Sequence, residues 1–136
     1  MKAREFLNMP AVINMEIMCA RIELEHYKRL AGQMQNTLVD NDRTRLLLLD
    51  AKEKIKEQEK LLEEKYISLT NAERKICEAV NRLDDEHVKA ALKYRYICLM
   101  KFEEISEKMQ YCVRQVRRFC EKGMAELDEI WEEKTG

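Results

Sequence analysis

The sequence has little glycine, proline or aromatic character. Among 136 residues there are three glycines and one proline, and aromatic side chains make up 7%. Sheet proteins built from many short strands need glycine- and proline-rich turns, whereas long helices need neither. Charged side chains, by contrast, make up 38% of the chain. This composition predicts an all-α fold and argues against a sheet.

Long apolar runs are also missing. None approaches the roughly 20 residues that a helix needs to cross a bilayer. The first residues, MKAREFLNMPAVINMEIM, are interrupted by charges, which is not the pattern of a signal peptide. We therefore expect a cytoplasmic protein without a membrane partner.

The cysteines and histidines do not form the patterns that bind metal or perform catalysis. The five cysteines are scattered without a C-x-x-C pair, and His26 and His87 lie far from any of them in sequence. There is also no glycine-rich phosphate loop and no nucleophile paired with a base. We predict no metal, no cofactor and no enzymatic activity. The cysteines are expected to be small buried apolar groups in a reducing compartment.

The first 83 residues carry two apolar seams. Along Ile13–Leu38 apolar residues recur at alternating spacings of four and three, which predicts a helix packed on a partner helix. Pro10 is expected ahead of this helix or in its first turn, and the segment DNDRT should end it near Val39. A second periodic run, Arg43–Leu83, predicts another long helix. A capping-box pattern leaves a break near Ser68 open, but the register favours continuity.

Two long helices joined by a short turn fold back most simply as an antiparallel hairpin. Such a pair buries only a narrow stripe, so we expect a homodimer formed through this coiled coil. We assign residues 1–83 to a coiled-coil hairpin for oligomerisation. Residues 84–136 are assigned to a three-helix unit with an acidic C-terminal tail.

Positive charge is concentrated in the C-terminal unit. Residues 88–127 hold nine basic and five acidic side chains, a net of +4. Residues 1–87 hold fifteen basic and seventeen acidic side chains, a net of −2, and the last nine hold one and four, a net of −3. A local excess of this kind favours an acidic partner such as nucleic acid.

The segment KFEEISEKMQYCVRQVRRF, residues 101–119, has the spacing of a helix-turn-helix. Its inner faces are expected to be Phe102, Ile105 and Met109 on the first helix and Val116, Phe119, Cys120 and Met124 on the second. The opposite face of the second helix holds side chains suited to phosphates and base edges, namely Arg114, Gln115, Arg117, Arg118 and Lys122. Inside this helix, Gly123 should cost about 0.8–1.0 kcal/mol relative to alanine.

The run LKYRYICLMKFEEISEKMQYCVRQVRRFCEKGMAELDEIW resembles region 4 of sigma-70-type factors. It is most similar to the ArpU- and RinA-like late transcription regulators of phages and prophages of Gram-positive bacteria, over residues 91–127. The resemblance implies sequence-specific binding of double-stranded DNA and control of phage late genes through host RNA polymerase, at the nucleoid. Carried over by position, the DNA contacts are Val113, Arg114, Gln115, Arg117 and Arg118, while Glu103, Glu104 and Ile105 fall in the supporting helix.

Two positions depart from the family pattern. Gln110 stands where glycine is common, so it is expected to need a left-handed conformation, and Cys112 stands where serine or threonine usually caps the second helix. Two alternatives remain open. In the first, the basic run VRQVRR is only a solvated face of a surface helix. In the second, the chain is a structural or adaptor coiled coil whose C-terminal unit binds a protein instead of DNA.

Overall fold

The structure is a computed structural model that describes residues 2–36 and 41–135. Within these ranges the chain is helical and contains no strand, which confirms the all-α fold. The five helices are α1 (Ala3–Asn36), α2 (Asp42–Val80), α3 (Glu86–Tyr96), α4 (Phe102–Met109) and α5 (Val113–Thr135).

Helix α1 begins ten residues before the predicted seam. Pro10, expected ahead of the helix or in its first turn, lies in the helix interior and is buried. The helix continues on the N-terminal side of Pro10 because Ala3 and Leu7 extend the apolar seam by two turns. Both side chains are inaccessible to solvent. Proline at such a position costs about 3 kcal/mol of helix stability or more, which tertiary packing must offset. The predicted end near Val39 lies outside the described residues.

Helix α2 is continuous through Ser68, as its apolar register favoured. It ends at Val80, and a tight turn follows in which the N–H of Leu83 donates to the carbonyl of Val80 at 3.0 Å. Leu83 is therefore buried just beyond the helix and not within it.

The chain divides into two compact units, Met1–Val12 with Leu69–Gly136, and Ile13–Ser68. Each unit contains part of the antiparallel hairpin of α1 and α2. In the Ile13–Ser68 unit, Lys65 forms an ion pair with Glu16, and the Arg21 guanidinium lies 5.8 Å from the centre of the Tyr66 ring. The predicted functional division into residues 1–83 and 84–136 stays a prediction.

The other unit holds the main hydrophobic core, to which the start of α1, the end of α2, α3 and α5 all contribute. Two contacts attach the start of α1 to α5. The Ala3 N–H donates to Asp128 Oδ1 at 2.8 Å, and the rings of Phe6 and Trp131 meet edge to face at 4.8 Å. The buried members of this core are Ala3, Leu7, Ile76, Val80, Leu83, Val88, Ala91, Leu92, Tyr96, Cys120 and Leu127.

The cysteines are less buried than predicted. Cys120 is buried and Cys77 is half-buried, but Cys19, Cys98 and Cys112 are exposed, so the prediction was wrong for three of the five. Burial raises the pKa of the Cys120 thiol to about 11. Residues 2–36 and 41–135 contain no cluster of His, Cys, Asp or Glu arranged to hold a metal ion. No helix in those ranges is both long and apolar enough to cross a membrane.

Candidate nucleic-acid interface

Helix α3 forms the base of the candidate interface. Asp85 caps it, because its Oδ1 accepts the His87 N–H at 2.9 Å. This hydrogen bond lowers the pKa of the Asp85 carboxyl, so the cap is present at neutral pH and is lost only as acid protonates it. The residues Val88, Leu92 and Tyr96 form its buried face.

Helix α3 ends at Tyr96. Leu99 lies beyond the helix with a φ of 54° and is exposed. The Met100 N–H donates to the carbonyl of Tyr94, and the Met100 carbonyl accepts from Arg95 Nη1, both at 3.0 Å. These bonds hold the connection between α3 and α4.

Helix α4 supports α5 through a short buried face. Ile105 is fully buried, while Phe102 and Met109 are half-buried. At its start, the Lys101 N–H donates to Glu104 Oε1 at 3.4 Å. Of the residues that the resemblance puts in the supporting helix, Glu104 therefore contributes to the helix start and Ile105 to the core.

The turn between α4 and α5 has the conformation expected at Gln110. Its φ of 59° and ψ of 40° are left-handed, a region that glycine enters without strain. The Ser106 hydroxyl donates to the Tyr111 carbonyl at 2.5 Å, and the Val116 N–H donates to the Cys112 carbonyl at 3.0 Å. Cys112 therefore occupies the N-cap of α5 with an exposed thiol, a poor acceptor for the first N–H groups.

We predict that Gln110→Gly combined with Cys112→Ser stabilises this unit. Relief of the left-handed residue contributes about 1 kcal/mol and a hydroxyl cap about another 1 kcal/mol. The midpoint of urea unfolding, followed by circular dichroism, should rise. Gln115→Gly is the matched control, since that residue lies within α5. It should lower the free energy of unfolding by about 1 kcal/mol, and the midpoint should fall accordingly. An unchanged or lower midpoint for the double variant would contradict the left-handed conformation of Gln110 and the N-cap position of Cys112.

Helix α5 has two opposite faces. One is buried against α3 and α4 along a line of four residues, Val116, Cys120, Gly123 and Leu127. Of the predicted contact residues, Arg114, Arg117 and Arg118 lie on the other side and are exposed. Their spacing of three and one residues places the three arginines within about one turn of helix.

The remaining predicted contacts are less free. Lys122 is exposed, but its Nζ lies 3.7 Å from Asp85 Oδ2 and 4.0 Å from Glu126 Oε1, so it is engaged within the chain. Val113 and Gln115 are half-buried at the start of α5. The three arginines are therefore the predicted contact residues that are exposed together on α5. Lys122, Val113 and Gln115 lie at the edge of the candidate interface.

Phe102 lies between two arginines, one of which sequence reasoning missed. The guanidinium of Arg117 is 4.7 Å from the ring centre and that of Arg95 is 4.2 Å from it. These cation–π contacts restrict both side chains and hold a further positive charge next to the exposed face of α5. No spacing rule links residue 95 to residue 117. The only hint was the excess of basic residues across 88–127.

An aromatic cluster lies beside the turn, built from three elements. His87 stacks on Phe119 at 5.6 Å between ring centres, and Tyr111 meets both rings edge to face, at 5.4 Å from His87 and 5.2 Å from Phe119. The cluster attaches the turn to the start of α3 and to Phe119, in the second turn of α5. It therefore stabilises the angle at which α5 presents its arginines.

The chain matches no protein-family model, no curated protein and no solved structure. Function is therefore inferred from the residues of this interface.

Proposed function

We propose that this protein is a sequence-specific DNA-binding transcription regulator that inserts α5 into the major groove. The observation that carries the proposal is the exposed trio Arg114, Arg117 and Arg118 on a helix whose opposite face is buried. A short supporting helix and a tight turn precede that helix, as in helix-turn-helix proteins. The resemblance to sigma region 4 supports the same proposal.

Arginine suits this task for two reasons. Its planar guanidinium donates two parallel hydrogen bonds to guanine O6 and N7 or to a phosphate, which lysine cannot do in the same geometry. Basic side chains on the interface also release counterions from DNA, which favours association at low salt. The protein binds phosphates and base edges with one surface.

A second copy of the chain is part of this proposal. Helix α1 also carries large apolar side chains outside its seam. Met15, Met18 and Ile22 are each more than half exposed. Proteins rarely leave such a stripe unpartnered. A homodimer that covers it would bind two half-sites, and the resemblance points to phage late genes and host RNA polymerase as the context.

Binding to duplex DNA tests the proposal directly. Fluorescence anisotropy with a labelled random-sequence duplex should show binding near 50 mM salt and a steep loss of affinity as salt rises, by roughly 0.9 in log K per log salt for each phosphate contacted. Selection from a random duplex pool should then enrich one motif. A two-fold symmetric motif would support the homodimer, because half-site symmetry mirrors protein symmetry.

Two results would contradict these proposals. Absence of binding near 50 mM salt would overturn DNA recognition and favour the adaptor alternative, in which the C-terminal unit binds a protein. A selected motif without two-fold symmetry, together with the mass of a single chain in solution, would overturn the homodimer alone.

A further inference from the structure

The outward face of α5 contains one acidic side chain among its arginines. Arg114, Arg117, Arg118 and Glu121 follow the spacing i, i+3, i+4 and i+7, and all four are exposed. Homeodomains present their base-reading residues from the recognition helix at the same spacing. Glu121 is thus the fourth member of the stripe on which the proposed function rests.

Glu121 is not paired with the arginines near it. Arg117 and Arg118 lie four and three residues before it, at helical positions where ion pairs form readily. Yet Glu121 forms no ion pair with any residue that the structure describes, and Arg117 lies over the Phe102 ring instead. The neighbouring Lys122, in contrast, approaches both Asp85 and Glu126. The Glu121 carboxylate is available to a ligand.

A free carboxylate on a DNA-binding face has a definite consequence. Phosphates repel it, so it weakens binding to duplexes in general. The repulsion is offset where the carboxylate accepts a hydrogen bond from an amino group on a base edge. In the major groove the cytosine N4 amino group is the usual partner of Glu or Asp. Such a residue discriminates between sequences without raising non-specific affinity.

We infer that Glu121 is a specificity-determining residue that selects a C·G pair by accepting a hydrogen bond from cytosine N4. This inference rests on the proposed function and goes beyond it by naming a base. Seven residues separate Glu121 from Arg114, about 10.5 Å along the helix axis. Therefore the two side chains read different base pairs, and the C·G position is separate from any guanine that Arg114 contacts.

Selection from a random duplex pool with three variants of the full chain tests this inference. The chain with Glu121 should select a motif with one position dominated by C·G. Glu121→Ala should lose the preference at that position only, with discrimination falling at least about fivefold. Glu121→Gln should shift the position toward A·T, because glutamine pairs with adenine N6 and N7. Both variants should bind a random duplex more tightly at low salt.

Glu129→Gln is the matched control, since this exposed glutamate lies two turns further along the same helix. It should leave the selected motif unchanged. If the Glu121 variants select the same motif as the unaltered chain, the inference is overturned while DNA binding stands. If the unaltered chain binds no duplex, both the inference and the proposed function fail.

Discussion

The double variant Arg117→Ala, Arg118→Ala is expected to lose most of its affinity for duplex DNA while the chain remains folded. Each arginine that pairs bidentately with a base contributes roughly 1–3 kcal/mol, so removal of two should weaken binding at least about 30-fold. Removing an arginine that binds a phosphate should also reduce the slope of log K against log salt by about 0.9. Anisotropy titrations at several salt concentrations measure both quantities.

The fold should tolerate this change because neither arginine is buried. Arg118 is exposed, and Arg117 contributes one cation–π contact with Phe102, worth about 0.5–1 kcal/mol at an exposed site. Far-ultraviolet circular dichroism should therefore remain helical. The remaining guanidinium on Phe102, that of Arg95, keeps the ring covered.

Arg29→Ala with Arg74→Ala is the matched control. Both residues are exposed on the hairpin, Arg29 on α1 and Arg74 on α2, and the control removes the same net charge from another surface. If charge alone governs binding, the two double variants should weaken it equally. Equal weakening would contradict recognition through α5, and weakening confined to the α5 variant would support it.

Gly123→Ala is expected to destabilise the protein, although alanine is the better helix former. An alanine Cβ at this position would lie 2.5 Å from Leu92 Cδ1 and 2.8 Å from Val88 Cγ1, closer than carbon atoms approach. Val88 and Leu92 are fully buried, so relief requires their side chains to repack or α3 and α5 to separate. Overpacking of this kind costs about 1–3 kcal/mol, which outweighs the roughly 1 kcal/mol gained in helix propensity.

Gly32→Ala gives the opposite expectation and serves as the control. Gly32 also lies inside a helix, α1, but a Cβ there meets no atom within 4 Å. Its replacement should therefore raise the free energy of unfolding by about 0.8–1.0 kcal/mol. Urea denaturation of the two variants measures the contrast. A stabilised Gly123→Ala would contradict the close approach of α3 and α5.

The hairpin was predictable because its burial pattern repeats locally. Within α1, the seam residues from Ile13 to Met34 are buried or half-buried, as their spacing of three and four predicted. In the C-terminal unit, the inner residues Ile105, Val116 and Cys120 were identified in the same way. The left-handed Gln110 also followed from sequence, since a helix-turn-helix needs one residue of that conformation in its turn.

Other features depend on contacts between residues distant in sequence. Pro10 was misplaced because a helix breaker in isolation predicts a boundary, whereas burial of Ala3 and Leu7 extends the helix past it. The general preference of thiols for burial predicts buried cysteines, but three of the five are exposed because burial depends on the local packing of each position. Arg95 lies in the candidate interface only because the packing of α3 against α4 places it on Phe102.

The sequence by itself determined the helical class, the two apolar seams and the stripe of arginines on α5, because each arises from interactions between residues a few positions apart. Only the tertiary structure decided that the start of α1 packs on α5, that Gly123 is a close contact and not merely a weak helix former, and that Glu121 is left unpaired beside Arg117. The physical reason is that local periodicity specifies which face of a helix is apolar. Which partner covers that face depends on packing between segments up to 125 residues apart, as between Ala3 and Asp128.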